Sequence, residues 1–134
     1  MKTTKIVLCF LVLGAFFFLH SCGGPSSGSP SSTVKTFIDK MAKGESEAAI
    51  ACISSNGKEM DQESKAKLIG LMAMGKAQSD KKQGIKNLDV LNEVIAADGN
   101  TATVKVKFTF GNGDTNEEDY KLVKENGKWL ITIK

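Results

Sequence analysis

The stretch TATVKVKFTF, residues 101–110, alternates without a break. Ala102, Val104, Val106, Phe108 and Phe110 take every second place, and Thr103, Lys105, Lys107 and Thr109 stand between them. A period of two marks a half-buried strand, because successive side chains leave a strand on opposite faces. One face must be covered by another layer and the other must stay in water. The flanking sequence supplies partner strands. IKNLDVLNEVIAA before it alternates imperfectly, which places a bulge near Val90 and Leu91. Asp98-Gly99-Asn100 makes the connecting turn. After it, GNGDTNEE reads as a loop, DYKLVKE pairs back, and Asn126-Gly127 makes a tight hairpin turn. KWLITIK then closes the chain with Trp129, Ile131 and Ile133 alternating inward.

The covering layer comes from the preceding residues. Val34, Phe37, Ile38 and Met41 recur at helical spacing after a cap at Ser31, Ser32 or Thr33, and Gly44 is a stop. ESEAAIAC continues as a short helix with Ala48, Ala49, Cys52 and Ile53 inward. Asn56-Gly57 turns the chain. Asp61 caps a third helix through about Lys76 to Ser79, broadly apolar through Leu68, Ile69, Leu71, Met72 and Met74, and weakened by Gly70 and Gly75. Helices followed by an antiparallel meander give an α+β domain with the helices on one sheet face.

The N-terminus is of another kind. Lys2 and Lys5 precede an apolar run from Ile6 to Leu19, too short at about 21 Å of helix to cross a hydrocarbon core of about 30 Å. A basic start, a short apolar run and small residues are the marks of a secretory signal peptide, 1–21. Leu19-His20-Ser21-Cys22 resembles the lipobox of bacterial lipoproteins, with Leu19 and Ser21 fitting and His20 standing where a small residue is usual. The resemblance implies that Cys22 receives a diacylglycerol, that the chain is cut before it, and that the new amino group is acylated. Two or more acyl chains hold a protein stably to a bilayer where one does not. Residues 22–31, rich in Gly, Ser and Pro, are expected to form a flexible tether, and 32–134 one folded domain. Gly23 after the lipid cysteine fits the outer membrane, facing the periplasm.

Composition then narrows the chemistry. His20 is the sole histidine and departs with the signal, as does Cys9, so the folded part keeps Cys52 alone and no internal disulfide. The chain has no arginine and nearly balanced lysines and acids, which argues against a nucleic-acid partner.

Three helices, an antiparallel sheet and a last hairpin with Gly127-Lys128-Trp129 resemble the nuclear transport factor 2-like superfamily. GIKNLDVLNEVIAADGNTATVKVKFTFGNGD and YKLVKENGKWLI are similar to small bacterial lipoproteins of that superfamily whose domain has no known function. The resemblance implies a cone-shaped α+β fold, with helices packed on one face of a curved four-stranded sheet and room for a pocket between the layers. It implies no catalytic residues.

Individual constellations add little. Gly70 to Ala77 falls short of a phosphate-binding loop, since Ala77 stands where Ser or Thr is needed and no strand precedes it. Asn112, Asp114, Asn116 and Glu118 alternate like a calcium loop. Glu117 replaces its glycine and Val123 its final glutamate, so a solvated acidic hairpin loop is expected and no metal site. Cys52, with no histidine to deprotonate it, reads as a small buried hydrophobe. Phe37, Phe108, Tyr120 and Trp129 are candidate pocket-lining residues, against the alternative that they simply build the core.

The expectation is a membrane-anchored lipoprotein presenting a binding or interaction domain in the cell envelope. It needs no cofactor and no catalysis, and its partner is a small apolar ligand or an envelope protein. Two alternatives stand beside it: a ligand-free structural accessory of an envelope complex, and a pocket enzyme using Tyr120 with a carboxylate or lysine.

Overall fold

The computed structural model describes residues 28–133; the expected signal peptide, Cys22 and residues 23–27 of the expected tether lie outside them. The first helix, α1 (Pro30–Lys43), starts earlier than expected. Ser29, rather than Ser31 to Thr33, is its cap, accepting from the Ser32 N–H at 3.3 Å. Pro30 takes the first helical position, where its missing N–H costs no bond. The last two residues of the expected tether are therefore helical. Gly44 ends α1 in the left-handed region at φ 76°, which a residue without Cβ adopts freely.

The short helix α2 (Ser46–Ile50) buries Ala49, and Cys52 and Ile53 follow it inward. Ala48, expected inside, is exposed: it lies about 100° round the helix from Ala49, on the solvent side of the stripe. The chain then runs beside the last strand. The Ile131 N–H donates to the Cys52 carbonyl and the Ser54 N–H to the Ile131 carbonyl, both at 2.8 Å, which covers that sheet edge. The long helix α3 (Gln62–Lys81) is capped as expected, the Asp61 carboxylate accepting from the Ser64 N–H at 2.8 Å. That bond holds the Asp61 carboxyl below its usual range. α3 buries Met72 alone, while Leu71 and Met74, 62% and 61% exposed, face outward. It leans on α1 and α2 along a narrow side rather than covering the sheet.

The sheet is a meander of β1 (Ile85–Ile95), β2 (Thr101–Phe110), β3 (Thr115–Glu125) and β4 (Lys128–Ile131), antiparallel throughout. The pairing shifts between Val90 and Asn92, the bulge expected there, and again between Ile85 and Asn87. The alternating face of β2 is the inner one and carries Val104, Val106 and Phe108 into the core with Val34, Phe37, Leu122, Trp129 and Ile131. Two expectations fail at strand ends. The loop GNGDTNEE contracts to a turn over 111–114, because Thr115 to Glu118 pair with Thr109 to Val106. Ile133 is 52% exposed, since β4 stops at Ile131.

The fold is α+β, as expected, with helices followed by a curved four-stranded antiparallel sheet. Two bonds from the start of α1 set how the layers meet. The Ser31 N–H donates to the Glu93 carboxylate on β1 at 2.8 Å, and the Thr33 hydroxyl to the Trp129 carbonyl on β4 at 3.1 Å.

Trp129 is 4% exposed, with the Lys124 ammonium 5.5 Å from its ring centroid. Trp129→Ala is expected to cost about 3–5 kcal/mol, the usual range for emptying a large aromatic site. Thermal unfolding reads it: a melting temperature within a few degrees of wild type would remove Trp129 from the core.

Candidate functional site

The register places residues on the inner face that the sequence pattern does not mark. Phe108 pairs with Asn116, Val106 with Glu118, Val104 with Tyr120 and Ala102 with Leu122. These partners share the face of the β2 apolar residues. Toward the β1–β2 turn that face is filled by α1. Toward the β2–β3 turn α3 stands away from the sheet, and a half-open cleft of about 240 Å³ lies between them.

Its floor is apolar: Ile38 and Met41 from α1, Ile85 from β1, and Phe108 and Phe110 from β2. The two phenylalanine rings stack with centroids 6.3 Å apart. Its wall is polar. The Tyr120 hydroxyl donates to Glu118 at 3.0 Å, and the Asn116 side-chain amide donates to the other carboxylate oxygen at 3.0 Å. Both donors are neutral, so the Glu118 charge has no cation in contact. Lys82 stands at the mouth, its ammonium 4.8 Å from the Phe110 centroid and 3.4 Å from the Asp114 carboxylate. Gln78 and Ser79 of α3 complete the opposite side.

A close backbone approach sets the mouth. The Gly111 N–H donates to the Gly84 carbonyl at 3.0 Å, and the Asn112 N–H to the Lys82 carbonyl at 3.1 Å. A Cβ on Gly111 would lie 2.5 Å from the Gln83 carbonyl oxygen. Only glycine allows this contact, and the contact ties the end of α3 to the β2–β3 turn.

Of the residues expected to line a pocket, Phe108 and Tyr120 lie in the cleft wall and floor. Phe37 stands behind them in the core, edge-on to Tyr120 at 6.2 Å between centroids. Trp129 lies in the core and is not among the lining residues. Cys22 lies outside the described residues. Cys52 is 1% exposed and not among the lining residues, and burial pushes its thiol up. Asn116 and Glu118 are strand residues of the cleft, not members of an acidic loop. Among the described residues no group of acids, cysteines or histidines is placed to hold a metal.

Burial, and then the neighbouring Glu118 charge, push the Tyr120 phenol far above its ordinary value of 10.0. A folded-state value above the unfolded one means that stability is fully present below about pH 10 and falls as pH rises beyond it. Tyr120 is the sole tyrosine. Absorbance of phenolate is therefore expected to rise only with alkaline unfolding, and Tyr120→Phe should flatten the stability profile above about pH 10. Titration of the native protein at the ordinary phenol value would remove the buried environment.

Comparison with known proteins agrees on the fold and is silent on activity. Residues 20–132 match the family described as a domain of unknown function, DUF4878. An uncharacterized protein of Aquifex aeolicus (strain VF5) is 29% identical over 135 residues, covering 95% of this chain and 90% of that one. A Campylobacter jejuni crystal structure provisionally named an NTF2-like transpeptidase superposes with a TM-score of 0.70 at 21% identity, covering 80% of this chain and all of the other. The solution structure of a SEC-C motif containing protein from Rhodopseudomonas palustris gives 0.53 at 16% identity, covering 81% of this chain and 78% of that one.

Proposed function

The chain belongs to the DUF4878 family, and for it we propose the role of a lipid-anchored binding module of the cell envelope, held at Cys22 and taking a small ligand in the cleft between α3 and the sheet. One observation carries the binding reading: an apolar floor of stacked rings beside a carboxylate whose partners among the described residues are neutral donors. Such a site takes an apolar body and fixes one polar end. At about 240 Å³ the cleft falls below the roughly 300–1,000 Å³ of drug-sized sites. Its occupant is a single ring or a short chain.

The same groups favour holding over turnover. A general acid or base works best with a pKa near the operating pH, and the Tyr120 phenol is driven away from it. One carboxylate, Glu118, stands beside Tyr120 in a half-open cleft, where acid–base chemistry calls for a second group. The transpeptidase name of the Campylobacter jejuni structure would require a nucleophile, and the Cys52 sulfur is buried with its thiolate disfavoured.

Two measurements test the two halves of the proposal. Cys22→Ala is expected to abolish incorporation of labelled fatty acid and membrane partitioning; a variant that keeps either would overturn the anchor. Native mass spectrometry of the full chain, extracted in detergent from the bacterium that makes it, is expected to show a small added mass that Gln78→Trp removes by filling the cleft. A chain without added mass, or an adduct indifferent to Gln78→Trp, would sink the binding role.

A further inference from the structure

The cleft and the start of α1 lie at opposite ends of the domain. The cleft reaches Phe110 and Asn116, whereas Ser31 is bonded to Glu93, which pairs with Val104. Ile95 pairs with Ala102, so the β1–β2 turn projects just past the start of α1. From Ala102 to Phe110 the sheet extends about 27 Å at about 3.4 Å per residue.

That near end carries an unusual surface. Val94, Ile95, Ala96 and Ala97 are four consecutive apolar residues, all exposed, while Leu91, also exposed, lies farther along β1 opposite Lys105 and Val106. Val94 is 53% exposed, and Leu91 and Ile95 are each 47% exposed. A run of this kind on a folded surface is a fault unless something covers it. Its first two residues lie on β1, an outer strand of the sheet, where exposed apolar residues invite aggregation. The tip is held in shape: the Ala96 N–H donates to the Thr101 carbonyl and the Gly99 N–H to the Ala96 carbonyl, both at 2.9 Å.

We propose that this tip, Val94 to Ala97, is a membrane-contact surface that seats in the bilayer interface and turns the cleft away from the membrane. The inference rests on the anchor at Cys22 and goes beyond it. Cys22 lies seven residues before Ser29, a reach of at most about 25 Å for any conformation of the chain. The start of α1, at the end that bears the exposed run, therefore stays within that reach of the anchor. An apolar tip pressed into the headgroup boundary gains by the area it buries. Asp98, Lys124 and Lys128 at this end are of mixed sign, so apolar area rather than lipid charge decides the contact.

The test uses the full-length lipidated chain in vesicles of phosphatidylethanolamine and phosphatidylglycerol containing brominated phosphatidylcholine, which quenches tryptophan at short range. Ile95→Trp and Val94→Trp place a reporter at the tip, and Asn112→Trp places one at the cleft end. Buried Trp129 gives a constant background, and thermal unfolding confirms that each variant is folded. The expected result is flotation of all three with the vesicles and at least a twofold loss of the added emission at the tip, with none at Asn112→Trp. Flotation without quenching at the tip would overturn the contact, as would equal quenching at both ends. Tip emission protected by a concentration-dependent dimer rather than by bromine would assign the surface to a second copy and also overturn it. Failure to float would instead remove the anchor, and the inference with it.

Discussion

Ser31 and Thr33 sit two residues apart on the first turn of α1, yet they bond to opposite edges of the sheet. Ser31 reaches Glu93 on β1, and Thr33 reaches the Trp129 carbonyl on β4. Four flat strands would put β1 and β4 about 14 Å apart, at about 4.8 Å per spacing. One helical turn spans about 5.4 Å. Both bonds leave one turn of the helix and draw β1 and β4 toward it, in keeping with the concave shape of the sheet. Thr33 is 1% exposed, and its hydroxyl would be a buried orphan without the bond to Trp129. The Glu93 carboxylate lies at a helix N-terminus, where the exposed N–H groups and the helix dipole both favour a negative charge.

Curling has a consequence at the other end. α1 fills the concave face beside its own start, and the face widens toward the β2–β3 turn. There α3 leans on α1 and α2, and the strip between α3 and the sheet stays open. Polar side chains on the inner face, Asn116 and Glu118, are tolerated because they border this opening and bond to each other and to Tyr120. Among the described residues no buried side-chain polar atom lacks a partner. The cleft is thus a product of the packing, not a gap left in it.

How far the sequence could be read follows from the same geometry. β2 was legible because its two faces meet opposite environments, apolar core and water, and period two needs that contrast. Thr115 to Glu118 have water on one side and a polar cleft on the other, so their strand is written in polar residues throughout and reads as a loop. The signal that could have found it was the phase of Tyr120 and Leu122, which extends backward onto Glu118 and Asn116. α3 misleads in the opposite sense. Leu71 and Met74 promise burial, but the helix touches its neighbours along one narrow side and leaves them exposed. The cap of α1 was missed by two to four residues because several serines compete there. Pro30, which suits only the first position, decides among them.

Tyr120 links core and cleft, and its position fits the proposed holding role better than a catalytic one. Its ring is edge-on to Phe37 inside, while its hydroxyl reaches Glu118 outside. Ionising that phenol would put a second negative charge against Glu118 and strip the pair of its only shared proton. Burial and the neighbouring Glu118 charge thus favour the neutral phenol, which donates to Glu118. In the proposed role a ligand would meet, over an apolar floor, the Glu118 carboxylate with its neighbours already in place.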